Sequence, residues 1–513
     1  MHNRKLMTKK EYIKSLGLDQ NPFQYTNADK EINLIDQYFI FPDYFEDVWG
    51  DPENPVSNII YAPRGGGKTA QRLMIEKRAA NFDEVLTITY TDHDLSNFKS
   101  ADEIGLSYHL EYLNRLLLLA FFDKLHSLND FDYIYEFDFA ERQYIYKLCR
   151  IYLFETPASF PKQAINSLKT IEDHAFDLWK KFKGPISDII KVISKAKGAE
   201  VDISKIELDK KLQMSHKDNF LNLIDLLKRL GTETIYILID KVDEQSLTGN
   251  DPRASYSFIS ALIKDLELLE IDGVGFKFFL WDALKPYCAK DARPDRLFSF
   301  TLQWEYSQIR NMLNKRLEAY SSKKINSAID LFEEKKGLGR TVLFSEFSPR
   351  DCIRICNRIL SEQLKINSES KVFELSVINN SIDLFCKEKI SEFLQRDSNI
   401  KHLAKVNGSS FSIEELVTKK VAADSAAIRN IILPWTTSGL LKKIGLVSRK
   451  GKKAVNEYAF MDIRMARFGC NSIDMESFIE TKVRKCKTEA CNNFAYRDFE
   501  RKVYECIECG TEL

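Results

Sequence analysis

The octapeptide Ala62-Pro63-Arg64-Gly65-Gly66-Gly67-Lys68-Thr69 follows the pattern Gly-x4-Gly-Lys-Ser/Thr of a phosphate-binding loop, with Ala62 in place of the first glycine. The five residues before it, Ser57-Asn58-Ile59-Ile60-Tyr61, are a short apolar run of the kind a buried parallel strand uses, and Lys68 to about Ala80 reads as a helix. In that setting Gly65, Gly66 and Gly67 let the backbone wrap round an anion, so that successive N–H groups and the helix N-terminus face it. Lys68 is then placed to reach the β- and γ-phosphates of ATP, and the Thr69 hydroxyl to ligate Mg²⁺.

A second signal stands far along the chain. Thr234-Ile235-Tyr236-Ile237-Leu238-Ile239-Asp240 is an apolar strand that ends in a carboxylate, followed by Lys241-Val242-Asp243-Glu244. Asp240 is the natural second Mg²⁺ ligand, directly or through water. Hydrolysis also needs a group that orients or deprotonates the attacking water, and Asp243 or Glu244 can serve; Glu244 is favoured. Strand patterns at 85–90, 276–281 and 297–303 bring the total to five, mostly parallel, which predicts an α/β fold. From Tyr108 to about Lys228 the periodicity is helical, broken at Phe160-Pro161 and Gly184-Pro185, and 191–211 carries the least clear pattern; this is a large helical insertion into the sheet.

These two motifs, the Asp240-x-x-Asp243-Glu244 spacing and a later Ser348-Pro349-Arg350-Asp351 resemble the AAA+ and STAND classes of P-loop ATPases, especially the origin-recognition-like branch. The order of motifs runs from about residue 15 to 470, with the two nucleotide motifs as its specific part. One departure is plain: many AAA+ members carry the catalytic glutamate directly after the aspartate, where this chain has Lys241. The resemblance implies a sheet in which the acidic strand does not simply neighbour the strand after the loop's helix by sequence order. It also implies a helical lid whose Arg350 feels the γ-phosphate. Asp282 is the nearest match to a first sensor; Arg293, Arg296 and Arg316 are candidate arginine fingers across a subunit boundary in a homo-oligomer; Asn21-Pro22-Phe23 would lie against adenine. Proteins of this appearance often act with effector partners in mobile-element or antiviral defence.

Toward the C-terminus, Ser412-Ile413-Glu414-Glu415 has the spacing of a capping box, a second helix begins near Asp424, and strands flank the polar tip Arg449-Lys450-Gly451-Lys452-Lys453. The order resembles a winged helix-turn-helix, with Pro434 and Trp435 expected to interrupt the recognition helix. Residues 401–468 hold 13 Lys or Arg against 5 Asp or Glu, although the whole chain has a formal net charge of zero. DNA is therefore expected to meet this patch through its phosphates. Cys486-x4-Cys491-x14-Cys506-x2-Cys509 has the spacing of a structural Zn²⁺ ribbon with four thiolate ligands. Cys352 and Cys356, one helical turn apart, read as core residues.

Length and composition set the frame. A chain of 513 residues with 44% hydrophobic and 29% charged residues is expected to fold as several globular domains. The expected bounds are a lead-in at 1–56, an ATPase core at 57–304 with its insertion at about 108–228, a helical lid at 305–368, a winged region at 369–470 and a zinc ribbon at 471–513. The apolar run 116–122 is far shorter than a membrane span. No apolar segment follows the basic first ten residues as a secretory signal requires. With four of the ten cysteines grouped for metal, a cytoplasmic protein is expected.

Overall fold

A computed structural model describes residues 7–91, 93–127, 136–154, 214–449, 452–489, 491, 493–500 and 502–513. They fall into two compact units, 27–303 and 1–26 with 304–513. The expected breaks at Phe160-Pro161 and Gly184-Pro185, and the segment 191–211, lie outside the described residues.

In the first unit, β1 (Asn58–Ala62), β2 (Val85–Tyr90), β3 (Thr234–Ile239), β4 (Val274–Trp281) and β5 (Phe298–Thr301) form one sheet. Its order is β2-β3-β4-β1-β5 and every pairing is parallel, so the fold is α/β. Every residue of β1 and β3 is buried, as continuous apolar runs must be when both faces of a parallel sheet are covered. The expectation about neighbours is corrected. β3 pairs directly with β2, from Val85 opposite Thr234 to Tyr90 opposite Ile239, and β4 is what separates β3 from β1. The reason is burial. Seven of the eight β4 residues are buried, which demands a central place, whereas β2 and β5 carry partly exposed residues that an edge tolerates.

The covering helices are sequence-encoded in the same way. Helix His216–Arg229 starts at a Ser215 capping box and buries Phe220, Leu223, Ile224 and Leu227. Helix Pro252–Lys264 starts at Asp251 with Pro252 in its first turn, and buries Phe258, Ile259, Leu262 and Ile263. Each such side chain contributes about 1.5–3 kcal/mol. The run 116–122 lies in helix Leu106–Ser127 and is wholly buried in the same core. No helix among the described residues is long and apolar enough to cross a membrane. Because the strands are parallel, Ala62, Tyr90, Ile239 and Trp281 end on one edge of the sheet, the edge at which open α/β sheets bind ligands.

In the second unit, helices Tyr306–Tyr320, Lys335–Phe344, Pro349–Ile366 and Leu375–Leu394 pack together; Cys352 and Cys356 are buried among them. A three-stranded antiparallel sheet follows, β6 (Ser410–Ser412), β7 (Leu441–Arg449) and β8 (Lys452–Phe460), in the order β6-β8-β7. Helix Ile413–Thr418 starts at the Ser412–Glu415 capping box. Helix Ser425–Thr437 runs through Pro434 and Trp435, which corrects the expected interruption. Pro434 and Asn430 are both exposed, so the Asn430 carbonyl that loses its helical N–H partner can bond water instead, and Trp435 is 1% exposed, an anchor rather than a break. Lys450 and Gly451, at the tip between β7 and β8, lie outside the described residues.

Candidate nucleotide and metal sites

The loop after β1 has the backbone that its glycines permit. Gly65 and Gly67 take φ of 77° and 104°, a region that residues with a Cβ avoid. A Cβ on Gly66 would stand 2.9 Å from the Pro63 carbonyl oxygen, so each of the three glycines serves a distinct backbone need. Helix Lys68–Ala79 begins at once, which leaves Lys68 in its first turn and the unpaired amides of that turn at the loop.

Thr69 and Asp240 meet here. The Thr69 hydroxyl donates to Asp240 Oδ2 at 2.8 Å, so two oxygen donors of the kind Mg²⁺ prefers stand side by side. Asp240 is only 1% exposed and does not stand alone. Arg72, 5% exposed, donates through Nε to Asp240 Oδ2 at 3.2 Å, through Nη1 to Glu76 at 2.5 Å and through Nη2 to Asp29 at 2.6 Å. Burial works against the charge on Arg72, but the carboxylates of Glu76, Asp240 and Asp29 more than offset it, so its affinity for the proton is raised. Burial pushes Glu76 up, against the pull of Arg72 and a hydrogen bond from Thr89. Sequence reading missed Arg72. It is one of four cations on its helix, with Lys68, Lys77 and Arg78, and nothing local sets it apart, because its partner is 168 residues away.

The two candidate bases differ sharply. Asp243 is 3% exposed and its Oδ2 lies 2.8 Å from Arg64 Nη2. Glu244 is exposed, in the 3-10 turn Val242–Glu244 just past β3. Lys241, directly after Asp240, takes φ of 60°. Its backbone N–H donates to Asp240 Oδ1 at 2.8 Å, and its Nζ pairs with Asp29 at 2.8 Å. It is thereby part of the ionic frame around Asp240.

Other expected residues are placed as follows. Asp282 follows the last residue of β4, on the same sheet edge as the loop. Arg293 and Arg296 pair with Asp295 and Glu270. Arg316 is 1% exposed and donates to the backbone oxygens of Pro22 and Tyr25, so it is corrected from candidate finger to structural cation: a guanidinium sealed inside its own unit cannot reach a neighbour. Asn21, beside Pro22 and Phe23, receives the Phe23 N–H at 3.0 Å and donates to Asn357 at 3.3 Å. Arg350 is exposed in the first turn of helix Pro349–Ile366, in the second unit.

Cys486, Cys491, Cys506 and Cys509 converge, with all four sulfurs within 4.8 Å of one another. Two of the separations are 3.5 Å, Cys486 to Cys509, and 3.6 Å, Cys491 to Cys506. Zn–S bonds of about 2.3 Å place tetrahedral sulfurs about 3.8 Å apart, so the four thiols fit Zn²⁺ with no open position. The cluster is tied to β8: the Tyr504 hydroxyl donates to Glu457 at 2.9 Å and Lys502 pairs with the same carboxylate at 2.6 Å. Stripping the metal with a chelator should loosen the tail and lower the unfolding free energy of the second unit by about 1–3 kcal/mol, the value of those charge-assisted bonds. Elemental analysis should find one zinc per chain beforehand; freshly purified protein devoid of metal, equally stable with and without chelator, contradicts the assignment.

No protein-family model and no curated protein matches the chain. Among solved structures it is similar to the Aeropyrum pernix Orc1 protein in complex with DNA, at 12% identity over 89% of this chain and 95% of that one, with a TM-score of 0.33. It is also similar to Cdc6p from Pyrobaculum aerophilum, at 9% identity over 90% and 98%, with a TM-score of 0.30. A third similarity is to Drosophila ORC bound to DNA, at 11% identity over 84% and 95%, with a TM-score of 0.25. Likenesses this distant assign no role to any residue.

Proposed function

We infer that this chain is an ATP-binding and ATP-hydrolysing switch whose nucleotide state governs how its basic C-terminal region holds DNA. One observation carries the reading: Thr69 and Asp240, 171 positions apart, come within 2.8 Å at the end of the sheet that also bears the glycine loop. The loop amides and Lys68 bind the phosphates, and Thr69 with Asp240 holds Mg²⁺. When bound, that ion neutralises charge on the phosphoryl oxygens. Glu244, exposed and without the arginine that occupies Asp243, orients the attacking water.

On the DNA side, Lys401, Lys405, Lys420, Arg429, Lys442, Lys443 and Lys453 are exposed, whereas Arg464 and Arg467 are 7% exposed and spent on Asp462, Asp351 and Asp383. The exposed set supplies phosphate contacts, and affinity for duplex DNA should fall steeply with added salt. A second reading, a nucleotide-held regulator or scaffold with little turnover, is favoured by Lys241, which stands where a glutamate base would be and is engaged with Asp29.

Turnover separates the two. Glu244→Gln should lower ATP hydrolysis about 100-fold while leaving ATP binding intact, and Asp243→Asn should lower it less. The assay is run with and without duplex DNA at two salt concentrations. Equal turnover in wild type and Glu244→Gln removes the assigned role of Glu244; negligible turnover in wild type with intact binding selects the second reading.

A further inference from the structure

Arg64 lies within the glycine loop, and its side chain crosses the sheet edge. The guanidinium sits over the Trp281 ring, 4.2 Å from its centroid, at the end of β4. From there Nη2 reaches Asp243, at 2.8 Å from Oδ2 and 3.3 Å from the carbonyl oxygen, beyond the end of β3. β4 is the strand between β1 and β3, so this one side chain spans from the phosphate loop to the turn that carries Glu244. Its Nε is buried with no hydrogen-bond partner among the described residues, which leaves a cation with donor capacity to spare in a loop built for anions.

We propose that Arg64 is the charge-stabilising arginine for the terminal phosphate, supplied by the chain's own loop, with Asp243 and Trp281 as the tether and platform that hold it ready. The inference rests on the ATPase reading above. In that reading the terminal phosphate lies between the metal pair, Thr69 with Asp240, and the water held by Glu244. Arg64 borders that space, because its own partner Asp243 is the residue before Glu244. A planar guanidinium stacked on an aromatic face and tied at one nitrogen is pre-organised, so less rotamer freedom is lost when its remaining N–H groups meet phosphate oxygens. Its own side chain is 32% exposed, so it can reach a ligand, while that of Asp243 is 5% exposed and depends on the guanidinium for its partner. The geometry also separates the two carboxylates: Asp243 is held on Arg64, and Glu244 is exposed.

The test is calorimetric binding of Mg-ADP and of a non-hydrolysable Mg-ATP analogue to the full chain, in wild type, Arg64→Ala, Arg64→Lys and Asp243→Asn. The expected result is that Arg64→Ala binds the triphosphate roughly 10- to 100-fold more weakly, the effect of losing charge-assisted contacts. It should bind ADP as wild type does, which shows that the loop is still folded even if leaving the buried Asp243 unpaired lowers the folding midpoint. Arg64→Lys should recover part of the loss, and Asp243→Asn should show a smaller loss of the same sign. Equal weakening of both nucleotides, or no weakening of either, overturns the assignment while the ATPase reading stands. Failure of wild type to bind either nucleotide removes both.

Discussion

Replacing Arg72 by methionine should destabilise the nucleotide unit by about 3–5 kcal/mol, the usual cost of removing one partner from a buried ionic cluster. Arg72 is the cation common to Asp240, Glu76 and Asp29, and Asp240 and Glu76 are 1% and 4% exposed. Without the guanidinium, Glu76 keeps the Thr89 hydroxyl as its one hydrogen-bond partner among the described residues and must be protonated or left charged in a dry site. Arg72→Lys should restore little, because an ammonium on a flexible stem cannot reproduce a fork that reaches three carboxylates at once. If the cost is electrostatic, adding Glu76→Gln to Arg72→Met should recover part of it, a coupling of order 1–3 kcal/mol in a double-mutant cycle. Urea unfolding measures wild type, Arg72→Met, Arg72→Lys, Glu76→Gln and the double variant. A loss below about 1 kcal/mol for Arg72→Met would show that the cluster does not hold the site together. The same variant should need more Mg²⁺ to bind ATP, since Asp240 then lacks the contact that orients it.

A change of opposite sign is expected at Lys277. This lysine lies in the centre of β4, opposite Asn58 of β1, and is 0% exposed. Its Nζ donates to the Val56 carbonyl at 2.8 Å and stands 4.9 Å from the centre of the Tyr236 ring. Burial depresses its pKa from 10.5 to about 7. With the folded value below the unfolded one, the unfolded chain binds more protons between pH 7 and 10.5, so the contribution of this group to stability rises with pH across that window. Below pH 7 both states are charged and the folded state bears the whole cost of a buried ammonium. Lys277→Met should therefore stabilise the protein by about 2–4 kcal/mol near pH 6, after allowance for the bond lost at Val56. The gain should shrink toward pH 10. Denaturation at pH 6, 8 and 10 gives the answer, and a difference that is constant with pH, or a destabilised variant, contradicts it.

How much of this was legible beforehand differs from residue to residue. The glycine loop could be read because its chemistry is local: three glycines, a lysine and a threonine serve one backbone turn, and the apolar strand before it is contiguous. The same holds for the Ser412 cap, where donor and acceptor lie three positions apart. Arg316 and Arg72 could not be read in this way. Each is an arginine on a helix with other cations, and only burial against partners 294 and 168 residues distant tells a structural cation or an aspartate's anchor from a surface charge. Trp435, expected to interrupt its helix, is instead 1% exposed and packs near Phe460, a partner that lies outside its helix.

Local pattern alone determined the five strands, the phosphate loop with Lys68 and Thr69, the carboxylate that ends β3 and the spacing of the four cysteines, because each is set by short-range backbone need or by the alternation of apolar residues. Tertiary structure alone decided the order of strands in the sheet, the 2.8 Å approach of Thr69 to Asp240, and the contrast between Asp243, buried against Arg64, and the exposed Glu244. Those depend on which charged groups lose water together. That is a property of packing between segments more than a hundred residues apart, where Coulomb energy and desolvation are large and opposed, and no window along the chain contains it.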